Sequence, residues 1–189
     1  MKELSPVSYI SSYILFRKDL SLEKLDKLIK SYGDKLSFQW VGVRNDAQIK
    51  TEILSGPYCL TGFNPDYMKT IISDDSTDKI KYPYLQLGDY LEEAWKQSKP
   101  NDSLVEVYTK HYTSLLRYMI DREEAVKALS INQIKIKQYK SALNYVEKNG
   151  INVYGILIYG ESRDLLEFIK DQNIKKIDIK GVLPSKYID

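Results

Sequence analysis

Apolar residues recur at three- and four-residue steps through Leu22, Leu25, Leu28, Ile29 and Tyr32. That spacing predicts an amphipathic helix over about 22–32, with Ser21 able to cap it and Gly33 supplying a left-handed stop. Strand-like stretches flank it. Tyr13-Ile14-Leu15-Phe16 comes before, and over about 36–44 Leu36, Phe38, Trp40 and Gly42 alternate with Ser37, Gln39, Val41 and Val43. A period of two predicts a strand with one aromatic face and one mixed face. The same order returns near the other end of the chain. Gly155-Ile156-Leu157-Ile158-Tyr159 reads as a strand broken at Gly160, Ser162 can cap a helix to about Gln172, and a last strand over about 174–183 stops at Pro184. Two βαβ halves in one chain predict an α+β, ferredoxin-like fold with a four-stranded antiparallel sheet, because right-handed crossovers leave few alternatives.

Between the halves the pattern changes to loops and helices. Asn64 can cap a short helix with Pro65 at its first position, and helices are expected over about 84–97, 103–128 and 133–148, the last ending at Gly150. No Pro/Gly/Ser-rich linker flanks this region. The expectation is therefore a single domain, 1–189, with 45–149 as a mainly helical insertion between the second and third strands.

Composition narrows the classes. An apolar fraction of 43% over 189 residues supports a packed core, while a net charge of +2 with dispersed cations gives no nucleic-acid footprint. The chain has 16 Tyr against 4 Phe, a bias that fits either low-GC codon usage or a Tyr-rich contact surface. Cys59 stands alone, which excludes an intramolecular disulfide and fits either the cytosol or export by an organism that does not rely on disulfides. No signal peptide opens the chain, and no apolar run reaches the ~18 residues of a membrane-spanning helix.

Catalytic chemistry finds little support. His111 is the single histidine, and its helical neighbours Leu104, Val107, Tyr108 and Leu115 read as a buried or boundary position. With no second histidine and one cysteine, neither a nucleophilic triad nor a zinc site assembles. Asp74, Asp75 and Asp78 lack the glycine and terminal glutamate of a calcium loop and read as a solvated turn. Glu92-Glu93 and Glu123-Glu124 are adjacent, so the members of each pair point to different sides of a helix. The stretch Gly155 to Ser162 lacks the ending of a phosphate loop. Phe38 and Trp40 could stack RNA bases, but no RNP-type run accompanies them, and they read as residues that pack helices on the sheet. The chain is read as a non-enzyme with no cofactor, no metal and no catalytic residue.

The segment Tyr145-Val146-Glu147-Lys148-Asn149-Gly150-Ile151-Asn152-Val153-Tyr154-Gly155, continued by Ile156 to Leu165, resembles the sigma factor regulator C-terminal family. The opening strand, the Ser21-Leu22 helix start and the strand ending at Trp40-Val41-Gly42-Val43 are similar as well. Tyr159 and Glu161 depart from the family, which carries Thr and often Pro around that glycine. The resemblance implies the extracytoplasmic part of a membrane-anchored bacterial anti-sigma factor: a sensory or interaction domain that relays an envelope signal or protein contact inward. It places both the membrane anchor and the sigma-binding segment upstream of residue 1. The competing expectation is a cytosolic ligand- or protein-binding module of the same fold. Recognition is expected in the loop 45–65 and the insertion, with Tyr58, Phe63, Tyr82 and Tyr84 as the contact residues.

Overall fold

The computed structural model describes residues 4–45, 62–66, 78–90, 103–129, 136–171 and 173–185. They divide into two compact units. One holds 4–43 and 152–185; the other holds 44–45 and the described residues from 62 to 151.

In the first unit, β1 (Tyr9–Ser21) and β2 (Leu36–Val43) are joined by helix α1 (Leu22–Tyr32). Strand β4 (Asn152–Glu161) and β5 (Ile174–Leu183) are joined by α5 (Ser162–Asp171). Strand β1 pairs antiparallel with β4 on one side and β5 on the other, and β2 pairs antiparallel with β4. The two halves therefore share one sheet. Among the described residues its strands number five and not the four expected, because a two-residue strand β3 (Gly62–Phe63) extends the order to β3-β2-β4-β1-β5. So short a segment carries no period-two pattern, and nothing in the sequence announced it.

Alternation along the strands decides what is buried. Ile10, Ile14, Phe16, Leu36, Phe38, Val41, Ile156 and Ile158 are buried with Leu22 and Leu25 of α1 and Leu165 and Phe168 of α5. Phe168 sets its ring edge-on to Tyr32 at 5.2 Å and to Phe38 at 6.5 Å.

Strand β2 does not keep the single aromatic face expected of it. Phe38 pairs with Ile158 and Trp40 with Leu157, so the strand takes two steps where its neighbour takes one. That bulge at Gln39 turns Trp40 and Gly42 to the opposite face and puts Val41 in the helix-side core. Trp40 then packs with Leu15 and Tyr154, bordered by Tyr13 and Leu157. Its ring meets Tyr13 edge-on at 6.3 Å and Tyr154 at 6.2 Å. Gly42 makes room for this cluster, since a Cβ there would lie 2.7 Å from the Trp40 ring and 2.9 Å from Tyr154.

Three helix-end expectations change. Gly33 is right-handed (φ −61°) and donates its N–H to the Ile29 carbonyl at 2.7 Å; a Cβ there would press on that same oxygen. Ser21 takes the extended cap position of α1 but makes no side-chain cap bond. Ser162 is the first residue of α5, and its hydroxyl donates to the Ser5 carbonyl at 2.7 Å. With Ser162 N–H on Ser8 O (2.8 Å) and Arg163 N–H on Pro6 O (3.2 Å), it straps residues 5–8 onto the start of the helix.

The second unit is mainly helical among its described residues, with α2 (Leu104–Asp121), α3 (Glu123–Leu129) and α4 (Ile136–Asn149). The helix expected over 103–128 breaks at Arg122 (φ −112°, ψ 44°). The segment expected to be helical from 84 runs as turns through Leu87 and turns helical at Gly88, with 91–97 outside the described residues. Helix α2 packs on α4, burying Val107, Tyr108, Tyr112 and Leu116 on one and Tyr139, Ala142 and Val146 on the other. Helix α4 ends at Gly150 as expected, and there φ of +71° with the N–H on the Val146 carbonyl (2.8 Å) forms a left-handed stop. Nothing lies within 4 Å of a Cβ added there, so Gly150→Ala tests backbone conformation alone. It should lower stability by about 1 kcal/mol in urea denaturation.

Candidate functional site

Of the four contact residues expected from sequence, Tyr58 lies outside the described residues. The other three converge on helix α2. Its start is fixed by a capping box: the Ser103 hydroxyl accepts from Glu106 N–H, and the Glu106 carboxylate accepts from Ser103 N–H at 2.8 Å. From there the helix presents Tyr108, His111, Ser114, Tyr118 and Asp121 at three- and four-residue steps.

Phe63 is buried, with its ring 5.3 Å from Tyr108, 5.6 Å from His111 and 6.0 Å from Tyr112. Tyr82 is buried as well: its ring meets Tyr118 edge-on at 5.4 Å and its hydroxyl donates to Asp121 Oδ2 at 2.7 Å. Lys81 reaches the same oxygen at 2.7 Å. These hydrogen bonds, that of Lys81 first, hold the Asp121 carboxyl below the usual carboxylate range. The Arg122 guanidinium lies 3.6 Å from the Tyr118 ring centre.

Tyr84 is half-buried and differs from the other two. Its φ of 53° is the positive value found at a non-glycine position among the described residues. A bulky residue there costs of order 1–2 kcal/mol. Two side chains of α2 hold the turn: Ser114 Oγ donates to the Pro83 carbonyl at 2.8 Å, and His111 Nδ1–H donates to the Tyr84 carbonyl at 2.7 Å. The Tyr84 ring stands edge-on to Tyr90 at 6.1 Å, with Lys110 Nζ 5.6 Å from its centre. Asp78 closes the preceding turn by accepting from the N–H groups of Ile80 and Lys81 at 3.0 and 2.9 Å, which leaves Ile80 96% exposed at its tip.

His111, the single histidine, therefore serves as a strut. It is 5% exposed, and burial pushes its pKa down to about 4 although backbone hydrogen bonding to Tyr84 and Leu85 opposes the shift. Neutral at ordinary pH, it donates through Nδ1 and has no nucleophile beside it among its described ring contacts. Asp74, Asp75, Glu92 and Glu93 lie outside the described residues, and Glu123 pairs with Lys127 one helical turn on. No group of three or more His, Cys, Asp or Glu side chains among the described residues is arranged to hold a metal ion.

A second feature, in the sheet-bearing unit, was not legible in the sequence. An open cleft of about 570 Å³ is lined by Tyr9, Gly33, Lys35, Ser37, Arg163 and four carboxylates, Asp34, Glu161, Asp164 and Glu167. Lys35 pairs with Glu167 at 3.2 Å and Arg163 with Glu161 at 2.8 Å. These residues come from the start of β1, the turn from α1 into β2, and the end of β4 with the start of α5, three segments far apart in sequence. The cleft offers charged hydrogen-bonding groups and no nucleophile–base pair.

Comparison with known proteins adds what the geometry does not carry. The sequence profile of the sigma factor regulator C-terminal family matches residues 1–180. A curated relative, the probable anti-sigma-M factor YhdL of Bacillus subtilis (strain 168), is 28% identical over 71 residues. That stretch is 38% of this chain and 19% of YhdL. No solved structure matches the chain. No helix among the described residues is long and apolar enough to cross a membrane.

Proposed function

Because the chain belongs to the sigma factor regulator C-terminal family, we propose that it is the extracytoplasmic sensory and interaction domain of a membrane-anchored anti-sigma factor. The match over residues 1–180 carries this reading, and the similarity to a probable anti-sigma-M factor supports it. The domain is non-enzymatic. It receives an envelope signal or a protein contact and relays it to a sigma-binding segment upstream of residue 1, with the membrane reached through an anchor on the same side. It binds no nucleic acid.

The fold belongs to this proposal as a ferredoxin-like sheet, 1–189 forming one domain with 45–149 inserted. The support is that β4 lies antiparallel between β1 and β2, which run parallel to each other, with β5 beside β1. The receiving surface is the turn at Tyr84. A signal moves a protein only through unequal affinity for two states. A strained backbone clamped by two side chains is the element we assign to that role. Tyr58, Phe63 and Tyr82 remain in the proposed surface; Phe63 and Tyr82 support it from within.

The experiment is a sigma-dependent reporter driven by the full-length regulator, with thermal unfolding of the 189-residue chain as control. Tyr84→Ala should shift induction about fivefold, a coupling of about 1 kcal/mol, with little change in melting temperature. Phe63→Ala and Tyr82→Ala should lower the melting temperature. Unchanged induction by Tyr84→Ala overturns the assignment of the surface. A disulfide-dependent alkaline phosphatase fused after Asp189 that stays inactive, while a reporter active only in the cytosol works at the same junction, overturns the extracytoplasmic placement.

A further inference from the structure

Strand β5 is the most exposed strand of the sheet-bearing unit. It stands at one end of the sheet order, and among the described residues it pairs with β1 alone. Its other edge carries backbone donors and acceptors of the kind that template a further strand. Ile179 (40% exposed), Val182 (43%) and Leu183 (55%) are three of the few large apolar side chains left open to water among the described residues.

The sequence of this edge selects a partner. Lys176-Ile177-Asp178-Ile179-Lys180 alternates charge and isoleucine and reads the same in both directions. Ile177 and Ile179 sit opposite Ile14 and Ser12, whereas Lys176 and Asp178 sit opposite Leu15 and Tyr13 on the other face. A register skip between Ser11 and Ser12 leaves Lys180 over the Tyr13 ring at 5.5 Å, on the face of Asp178, which it meets at 2.6 Å.

We propose that β5 pairs antiparallel with β5 of a second copy of this chain, about a two-fold axis at Ile179, joining two sheets into one. In that register Ile179 meets Ile179, and Asp178 meets Lys180 of the other copy twice over. Because the skip puts Lys180 and Gly181 on one face, Val182 comes to lie against Ile177 of the other copy and Leu183 against the aliphatic stem of Lys176. The alternatives fare worse. Centring on Asp178 sets Asp against Asp and Lys176 against Lys180, and centring on Lys180 sets Lys against Lys. Centring on Ile177 leaves Val182 and Leu183 without an opposite strand residue. A slip of one residue turns the helix-side face of one copy to the opposite face of the other. Lysines on an edge ordinarily discourage pairing; here Asp178 supplies the counter-charge that makes one register attractive.

Sedimentation equilibrium of the 189-residue chain tests this, with circular dichroism confirming that each variant is folded. The mass should rise with concentration from 22.0 kDa toward twice that value. Ile179→Lys should leave the monomer at every concentration. Asp178→Lys and Lys180→Asp should each raise the dissociation constant at least about tenfold, and the double swap should restore it. A monomer throughout the concentration series overturns the proposal. So does a dimer that Ile179→Lys leaves intact, or one that the double swap does not recover.

Discussion

Lowering the pH from 7 to 4 should remove about 3 kcal/mol of folding stability through one side chain, His111. Unfolded, the imidazole takes a proton near its ordinary 6.5; folded, burial holds protonation off until about 4. Between those values the unfolded chain binds more protons than the folded one, so stability falls as pH falls. The contribution is complete above 6.5 and gone below about 4. Exposed carboxylates also titrate at the acid end, where Asp121 and Asp178 are held low chiefly by hydrogen bonds from Lys81 and Lys180. The upper part of the window therefore belongs to His111. Urea midpoints taken from pH 7 down to 4 measure the slope, and His111→Gln should flatten it while lowering stability at pH 7. A wild-type slope near zero between 6.5 and 5 would show that the ring is not desolvated.

Phe168→Ala should cost about 4 kcal/mol, a large share of the ~5–15 kcal/mol of a typical domain. Phe168 is fully buried, and its ring fills the space between Tyr32 of α1 and Phe38 of β2. Truncation removes the anchor of α5 and leaves the Tyr32 and Phe38 rings facing a void. Phe168→Leu keeps most of the volume and should cost about 1 kcal/mol. Chemical denaturation of the two variants separates packing from folding failure. Equal losses for Ala and Leu would mean that α5 is held by its backbone and not by this ring.

Periodicity carries the elements well and their details poorly. The stripe Leu22, Leu25 and Tyr32 announced α1, and the echo of strand, helix and strand announced that both chain ends share a sheet. The bulge at Gln39 was invisible because it arises from how β2 registers on β4, and so Trp40 changed face. Gly33 looked like a left-handed stop, yet it is needed for its close approach to Ile29 O. Arg122 breaks the long helical pattern without a Gly or Pro to mark the place.

The contact residues show the same limit. Phe63 and Tyr82 stood out as aromatics in a loop-rich stretch, but whether such a ring faces water depends on α2, more than twenty residues further on. Tyr84 could be chosen from sequence, whereas its positive φ could not, since no glycine or asparagine marks the turn. The cleft beside α5 is assembled from three distant segments, and no local pattern encodes it.

The central placement of β1 also sets how the sheet bears force. A pull on the chain ahead of Tyr9 meets first the short strap of residues 5–8 on the start of α5, where three hydrogen bonds can let go in succession. Beyond it the load runs along β1, which is bonded to β4 on one side and β5 on the other. Ladder bonds lie across the strand, so a pull along it shears many of them at once instead of opening them one by one. The strap is thus a soft element in series with a stiff one. Tension would extend the first few residues and release the start of α5 well before it disturbed the core.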